Sequence, residues 1–248
     1  MGILIESIIK LIQKIFRKLG IKLVFSSDGE DSILEKWLGE IKNGFYIDIG
    51  SHKPLSSSNT YSFYLKGWKG ICVDPGIGLV KKYNLIRPMD IFINSAITID
   101  SKKKKMQFYY YCNNPDIATT LKNRVDIQDN LYNRKPSKIY EVETISVREL
   151  IKKIPGKKVN FLNIDIEGEE NKIIKSIIKN KVYPWCIAVE ELGKTYQNLS
   201  SSEIKKFLSK NGYFLASRTF FTSIYIRKKK FRKLPSKYVK EINNYKFL

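Results

Sequence analysis

The chain has 248 residues, 43% of them hydrophobic, with a formal net charge of +21, one histidine and three cysteines. That length suffices for one α/β domain with a full core and additions at its ends, and the absence of any run of about eighteen uncharged apolar residues argues against a membrane-spanning helix. The lone histidine, and cysteines Cys72, Cys112 and Cys186 without C-x-x-C spacing, argue against a zinc centre and fit thiols of a reducing cytosol.

Residues 3–19 carry the clearest helical pattern. Glu6, Ser7, Lys10, Gln13, Lys14, Arg17 and Lys18 recur at three-four spacing as a polar stripe, apolar residues cover the rest, and Gly20 follows as a stop. A terminal amphipathic helix with a basic face suits the interface of an anionic bilayer; docking on the domain, or on a second copy in a homo-oligomer, is the alternative. Ser27–Gly29 is a linker, and Ile33, Leu34, Trp37, Leu38 and Ile41 give a second helical face.

Phe45–Ile49 and Gly70–Asp74 are short β-rich runs flanking a helix at about 59–66, and each carries an acid at or next to its carboxyl end. A helix near 77–84 follows, then 91–99 as a third strand with its continuation. Lys102–Lys105 reads as a solvated hairpin tip leading into Met106–Tyr111. Residues 112–137 show no period and read as a long functional loop. Ile139–Ile145 alternates as a strand with one exposed face. Val147–Ile154 is helical, and Val159–Ile164 is a continuous apolar run suited to a central parallel strand. Glu169-Glu170 open a helix with Ile173, Ile174, Ile177 and Ile178 on its inner side. Cys186–Val189 is a strand ended by Glu190-Glu191, 200–210 a helix, and 213–217 with 222–226 an antiparallel pair. The expected division is a helix and linker over 1–28, one α/β domain over 29–228, and a basic tail over 229–248.

Asp48 and Asp74 each close a strand, and ligands of open parallel sheets bind outside the carboxyl ends of the strands. An acid after the second strand grips ribose hydroxyls, so the pair points to a cofactor with an adenosine part. The turn Gly50-Ser51-His52-Lys53-Pro54 has one glycine, which suits neither a dinucleotide needing G-x-G-x-x-G nor a triphosphate needing G-x-x-x-x-G-K-[ST]. S-adenosylmethionine carries no phosphate and tolerates such a turn.

Four segments in order then resemble the FkbM-type S-adenosylmethionine-dependent methyltransferases. They are Tyr46–Pro54 running into Ser58-Asn59-Thr60, Gly67–Pro75, Arg87-Pro88 through Asn94–Ile97, and the distinctive Phe161–Glu170 block containing Ile164-Asp165-Ile166-Glu167-Gly168. The resemblance implies a doubly wound, mostly parallel, seven-stranded Rossmann-like sheet with the amphipathic helix added. It implies that Asp48 and Gly50 line the methionine end with Ser51 and His52 in the same turn, that Asp74 binds the ribose hydroxyls, that Asn94, Ser95 and Ala96 flank the adenine, that Asp165 faces the sulfonium region, and that Asn59 and Pro75 also belong to the cofactor site. Many relatives carry a second glycine in the turn where this chain has Pro54 and serines.

Methyl transfer to a hydroxyl needs alignment and removal of one proton. Asp165, His52, Glu167 and Glu190 are the candidate bases. Glu167 has a structural alternative as a helix cap, and His52 as a hydrogen-bonding residue. Asp165 and Glu167 without a clear third ligand make a weak divalent-metal site, so no metal is expected.

The leading expectation is O-methylation of a sugar or glycan precursor, an acceptor class that comes from the resemblance. The 112–137 segment, with Asp116, Thr119, Thr120, Arg124 and Arg134, would form the acceptor-side lid. The excess positive charge suits a phosphate-linked acceptor or simply solvates the surface. Nucleic-acid methylation is the second expectation and is disfavoured, because no Asn/Asp-Pro-Pro-aromatic grip follows the fourth strand. A non-catalytic scaffold on an anionic membrane is the third. The expected location is the cytoplasm, peripherally at the inner face of the membrane.

Overall fold

A computed structural model describes residues 2–193 and 198–231. In chain order the elements are α1 (Gly2–Lys18), α2 (Glu30–Leu38), β1 (Phe45–Ile49), α3 (Tyr61–Leu65), β2 (Lys69–Val73), α4 (Leu79–Ile86), β3 (Ile91–Ile93), β4 (Ala96–Thr98), β5 (Lys105–Tyr110) and α5 (Lys122–Tyr132). There follow β6 (Lys138–Ser146), α6 (Val147–Lys152), β7 (Phe161–Ile164), α7 (Glu170–Lys179), β8 (Cys186–Glu190), α8 (Glu203–Lys210), β9 (Tyr213–Arg218), β10 (Thr222–Arg227) and α9 (Lys228–Phe231).

The main sheet has seven strands in the order β3-β2-β1-β7-β8-β10-β9. The first five are parallel, and β10 pairs antiparallel with both β8 and β9. Strand order reverses between β1 and β7. Helices cover both faces, as a doubly wound α/β sheet requires.

The two faces differ in chemistry because strand side chains alternate. Ile47, Ile49, Ile71, Val73, Leu162, Ile164, Ile187 and Val189 pack against α6, α7 and α8 in an aliphatic core. Tyr46, Cys72, Phe161, Cys186 and Ala188 face the other way, against Leu34 and Leu38 of α2, Tyr61–Leu65 of α3, Tyr83 of α4 and Phe231 of α9, in an aromatic core. Cys72 and Cys186 are therefore small buried core residues, whereas Cys112 is exposed.

Three local expectations are corrected. Residues 91–99 do not form one continuous strand: β3 joins the main sheet, and β4 belongs to a separate three-stranded sheet of order β4-β6-β5. Lys102–Lys105 is not the tip of a hairpin between β4 and β5, because both strands flank β6, β4 parallel and β5 antiparallel. Residues 112–137 contain a helix, α5, whose buried side chains are only Val125 and Gln128. Apolar residues at such low density leave no period to read. Of the basic tail, residues 232–248 lie outside the described residues. Among the described residues no helix is long and apolar enough to cross a membrane.

Candidate active site

The order reversal between β1 and β7 opens a crevice at their carboxyl ends. Gly50 is the reason the two ends can meet. Its φ is 78°, and a Cβ placed there would lie 1.6 Å from the carbonyl oxygen of Asp165. No side chain fits that space, so the turn after β1 and the end of β7 close together into one floor.

The crevice holds two adjoining cavities. The first encloses about 1010 Å³ of atom-free space, its open mouth included, at the upper end of the roughly 300–1,000 Å³ of small-molecule sites. Gly50, His52, Asp74, Pro75, Ser95, Ala96 and Asp165 line it, together with the apolar Val73, Ile97, Phe108 and Tyr110. Phe108 and Tyr110 arrive on β5 of the small sheet, a wall that nothing in the linear sequence attaches to the crevice. The second cavity, about 1500 Å³ of atom-free space including its mouth, is bounded by Asn59, Arg124, Gln128, Tyr132, Glu190 and Phe221. Ser27, Ser57, Asp116, Asp165 and Glu167 line both.

Asp74 follows β2 and borders the first cavity. One carboxylate oxygen accepts the Gly76 N–H at 2.8 Å and the other the His52 N–H at 2.9 Å. Burial raises its carboxyl above the usual range, against those hydrogen bonds. An ionised carboxylate offers about four acceptor positions, so two remain for hydroxyls at the cavity. Asn94 does not line the cavity. Its Nδ2 donates to the carbonyls of Asp74 and Gly76 and fixes the turn beneath the ligand space.

Asp48 also stands outside the cavity lining. Strand alternation puts it on the aromatic face with Tyr46, where Thr60 and Asn163 donate to its two oxygens. Asn163 is its register partner on β7 and accepts from Asn59. Asn59 in turn borders the second cavity rather than the first. Ser51 is buried, its carbonyl accepting from Tyr83, and its hydroxyl has no partner among the described residues.

This polar layer continues into a fully buried ion pair. Arg87 Nε donates to Asp90 at 2.7 Å, both side chains at 0% exposure. The same guanidinium reaches Thr60 Oγ1 at 3.0 Å and the Tyr46 hydroxyl at 2.8 Å. The 50–60 turn is thus held from below by charge-assisted hydrogen bonds. Arg87 lies in a segment that carries the resemblance; its burial beside Asp90 gives no sequence signal.

His52 has φ 41° and Glu167 φ 59°, backbone geometry seldom adopted outside glycine. His52 Nδ1 sits 2.9 Å from Asp116, which ties the first turn to the 112–121 segment. Burial lowers the imidazole, with Asp74 and Asp116 opposing, so the ring is neutral near pH 7. The Ile166-Glu167-Gly168 turn is strapped by Glu170, whose carboxylate accepts the N–H groups of Ile166 and Gly168 at 3.1 and 2.9 Å. Glu170 braces the turn that leads into α7, a helix with no side-chain cap hydrogen bond, so Glu167 does not have the capping role considered for it. Gly168 needs φ 133°, and a Cβ there would meet Leu121 at 2.8 Å. Glu167 instead pairs with Arg124 of α5 at 2.5 Å.

Asp165, Glu167 and Glu190 bring carboxylate oxygens within 4.8 Å of one another. Asp165 is exposed, its carboxylate open to the crevice. Desolvation by the crevice walls, reinforced by Glu167 and Glu170, pushes it well above the usual carboxylate range. Glu190 is pushed up to about 10 by burial and then by Asp165, and one of its oxygens is buried without a partner. Like charges this close do not all ionise, so the trio retains a proton at neutral pH. Glu190 is the third acid that Asp165 and Glu167 lacked as a hard-cation donor set.

A doubly wound sheet with a phosphate-averse turn, an acid after β2 and an acidic floor defines a nucleoside-cofactor transferase crevice. A family model described as the Methyltransferase FkbM domain matches residues 48–215, and the chain belongs to this methyltransferase family. No curated protein matches it. The family implies S-adenosylmethionine as methyl donor, and the crevice fits it. Asp74 offers free acceptor positions for ribose hydroxyls, Val73, Pro75, Ala96 and Ile97 give an apolar wall for a base, and the acids of the floor match a sulfonium's positive charge.

Proposed function

We propose that the protein methylates a hydroxyl of a sugar or glycan precursor. The observation that carries this reading is the second cavity, which shares Asp165 and Glu167 with the first and is lined by carboxylates. Asp28, Glu30, Asp116, Asp165, Glu167 and Glu190 face it against two cations. Arg124 is paired with Glu167, and Arg134 stacks on Tyr132 with its guanidinium carbon 5.2 Å from the ring centroid. Carboxylates accept hydrogen bonds from hydroxyls and repel phosphates, while Tyr132 and Phe221 offer faces for a sugar ring. The sugar end of an acceptor enters, and any phosphate remains at the basic exterior.

S-adenosylmethionine supplies an electrophilic methyl group when bound. The protein must orient the acceptor hydroxyl, exclude water and take its proton. Asp165 lies where the two cavities join and has no cationic partner among the described residues, whereas Glu167 is engaged by Arg124. We assign Asp165 as the base. A raised carboxyl is the stronger base once ionised, and Glu190 orients the acceptor from the next strand. His52 borders only the first cavity and holds the turn through Asp116.

The test is transfer of labelled methyl groups from S-adenosylmethionine to panels of neutral sugars, sugar nucleotides and nucleic acids, beside calorimetric titration with S-adenosylhomocysteine. Alkali-stable label in a sugar acceptor is expected, with Asp165→Asn lowering the rate about 10²–10⁴-fold while leaving product binding measurable. Cofactor binding with label entering nucleic acid alone, or an undiminished rate in D165N, overturns the reading.

A further inference from the structure

We propose that α1 is a docking surface for an anionic lipid bilayer, lying in the plane of the interface. This inference rests on α1 and not on the acceptor assigned above. The helix is seated on the domain along one side only. Gly2 abuts the end of α4, where a Cβ would come within 2.3 Å of the Leu85 carbonyl. Ile9 packs against the aromatic core, and Ile5, Glu6, Gln13 and Phe16 are partly covered.

The other side presents Leu4, Ile8, Leu11, Ile12, Ile15 and Leu19 to solvent, between 38% and 68% exposed. Leu4, Ile8, Leu11, Ile15 and Leu19 recur at steps of three or four residues and draw one line along the helix and the turn that ends it, with Ile12 beside it. Scattered exposed apolar residues are ordinary on a folded domain, but a continuous line is not. Lys10, Lys14, Arg17 and Lys18 are also exposed. The acid Glu6 is turned toward the domain, 17% exposed and bound by Lys10. The outer surface of α1 therefore combines an apolar line with cations and offers no compensating carboxylate.

That charge selects among occupants. A second copy meeting this face would bring two sets of like cations together, whereas anionic headgroups neutralise them. At 17 residues α1 is too short and too charged to cross a bilayer, so its geometry is that of an interfacial helix. The segment leaving it passes the exposed Ile21 and Val24 and reaches Ser27 at the rim of both cavities. Docking would hold the crevice mouth near the lipid surface.

The test is flotation of the full chain with vesicles of phosphatidylglycerol and phosphatidylcholine against vesicles of phosphatidylcholine alone. Binding to the anionic vesicles is expected, weakened by salt. The double variant Leu11→Ser with Ile15→Ser should weaken it at least about tenfold, and each of Lys14→Gln and Lys18→Gln about fivefold. Far-UV circular dichroism and S-adenosylhomocysteine binding verify that the variants remain folded, since none of these side chains touches the crevice. Failure of the wild-type chain to float with anionic vesicles, equal flotation of the double variant, or a wild-type dimer in sedimentation that the double variant abolishes would each overturn the proposal.

Discussion

Asp74 illustrates how much one carboxylate does at the end of β2: it receives two backbone N–H groups and still faces the cavity. Asp74→Ala should cut S-adenosylhomocysteine affinity by about 10–100-fold, as calorimetry would measure, from the lost hydroxyl acceptors and two orphaned donors. Glu190 behaves differently. Its carboxyl titrates near 10 in the folded chain against an ordinary 4.5. The folded state therefore keeps a proton that the unfolded chain releases, and the stability this confers is present below about 4.5 and lost as pH rises toward about 10. Glu190→Gln should flatten the fall of the melting temperature between those limits, a slope of at most about 1.4 kcal/mol per pH unit for one retained proton. An unchanged slope in thermal scans would show that the proton resides elsewhere. At this scale the placement of Asp74 and Asp165 at the cavity is legible, because a strand-end acid in a parallel sheet faces the ligand crevice. The placement of Asp48 is not, because it lies within β1, where alternation assigns it to the opposite face.

The elements most readable from sequence are those with dense apolar pattern. β7 is buried throughout, and α7 places Ile173, Ile174, Ile177 and Ile178 on one side. β4 has three residues and pairs with β6 across a long separation, so neither length nor alternation announces it. α5 is hidden for a related reason: it buries little, exposing Ile127 and Leu131, and is positioned through the Arg124–Glu167 ion pair. The turn between β1 and α3 depends on another ion pair. Replacing Arg87 by Met leaves Asp90 buried without its counter-charge, which should lower unfolding free energy by about 3–5 kcal/mol in denaturant titrations. If the loss stays below about 1 kcal/mol, the network is not what holds the turn.

Across the whole molecule, charge is segregated. The net charge of +21 belongs to the surface, while six carboxylates converge on the second cavity. Composition alone shows the first and cannot show the second, which emerges only when β1, β7 and β8 are set side by side in the folded chain. That juxtaposition also constrains when the protein becomes competent. Asp48 and Asn163, which lock the two strands beneath the floor, are 115 residues apart in the chain. Closing so long a loop is entropically late in assembly. The crevice therefore cannot pre-exist in a nascent or clipped fragment, and engagement of the nucleoside becomes a report that both halves of the polypeptide have already come home.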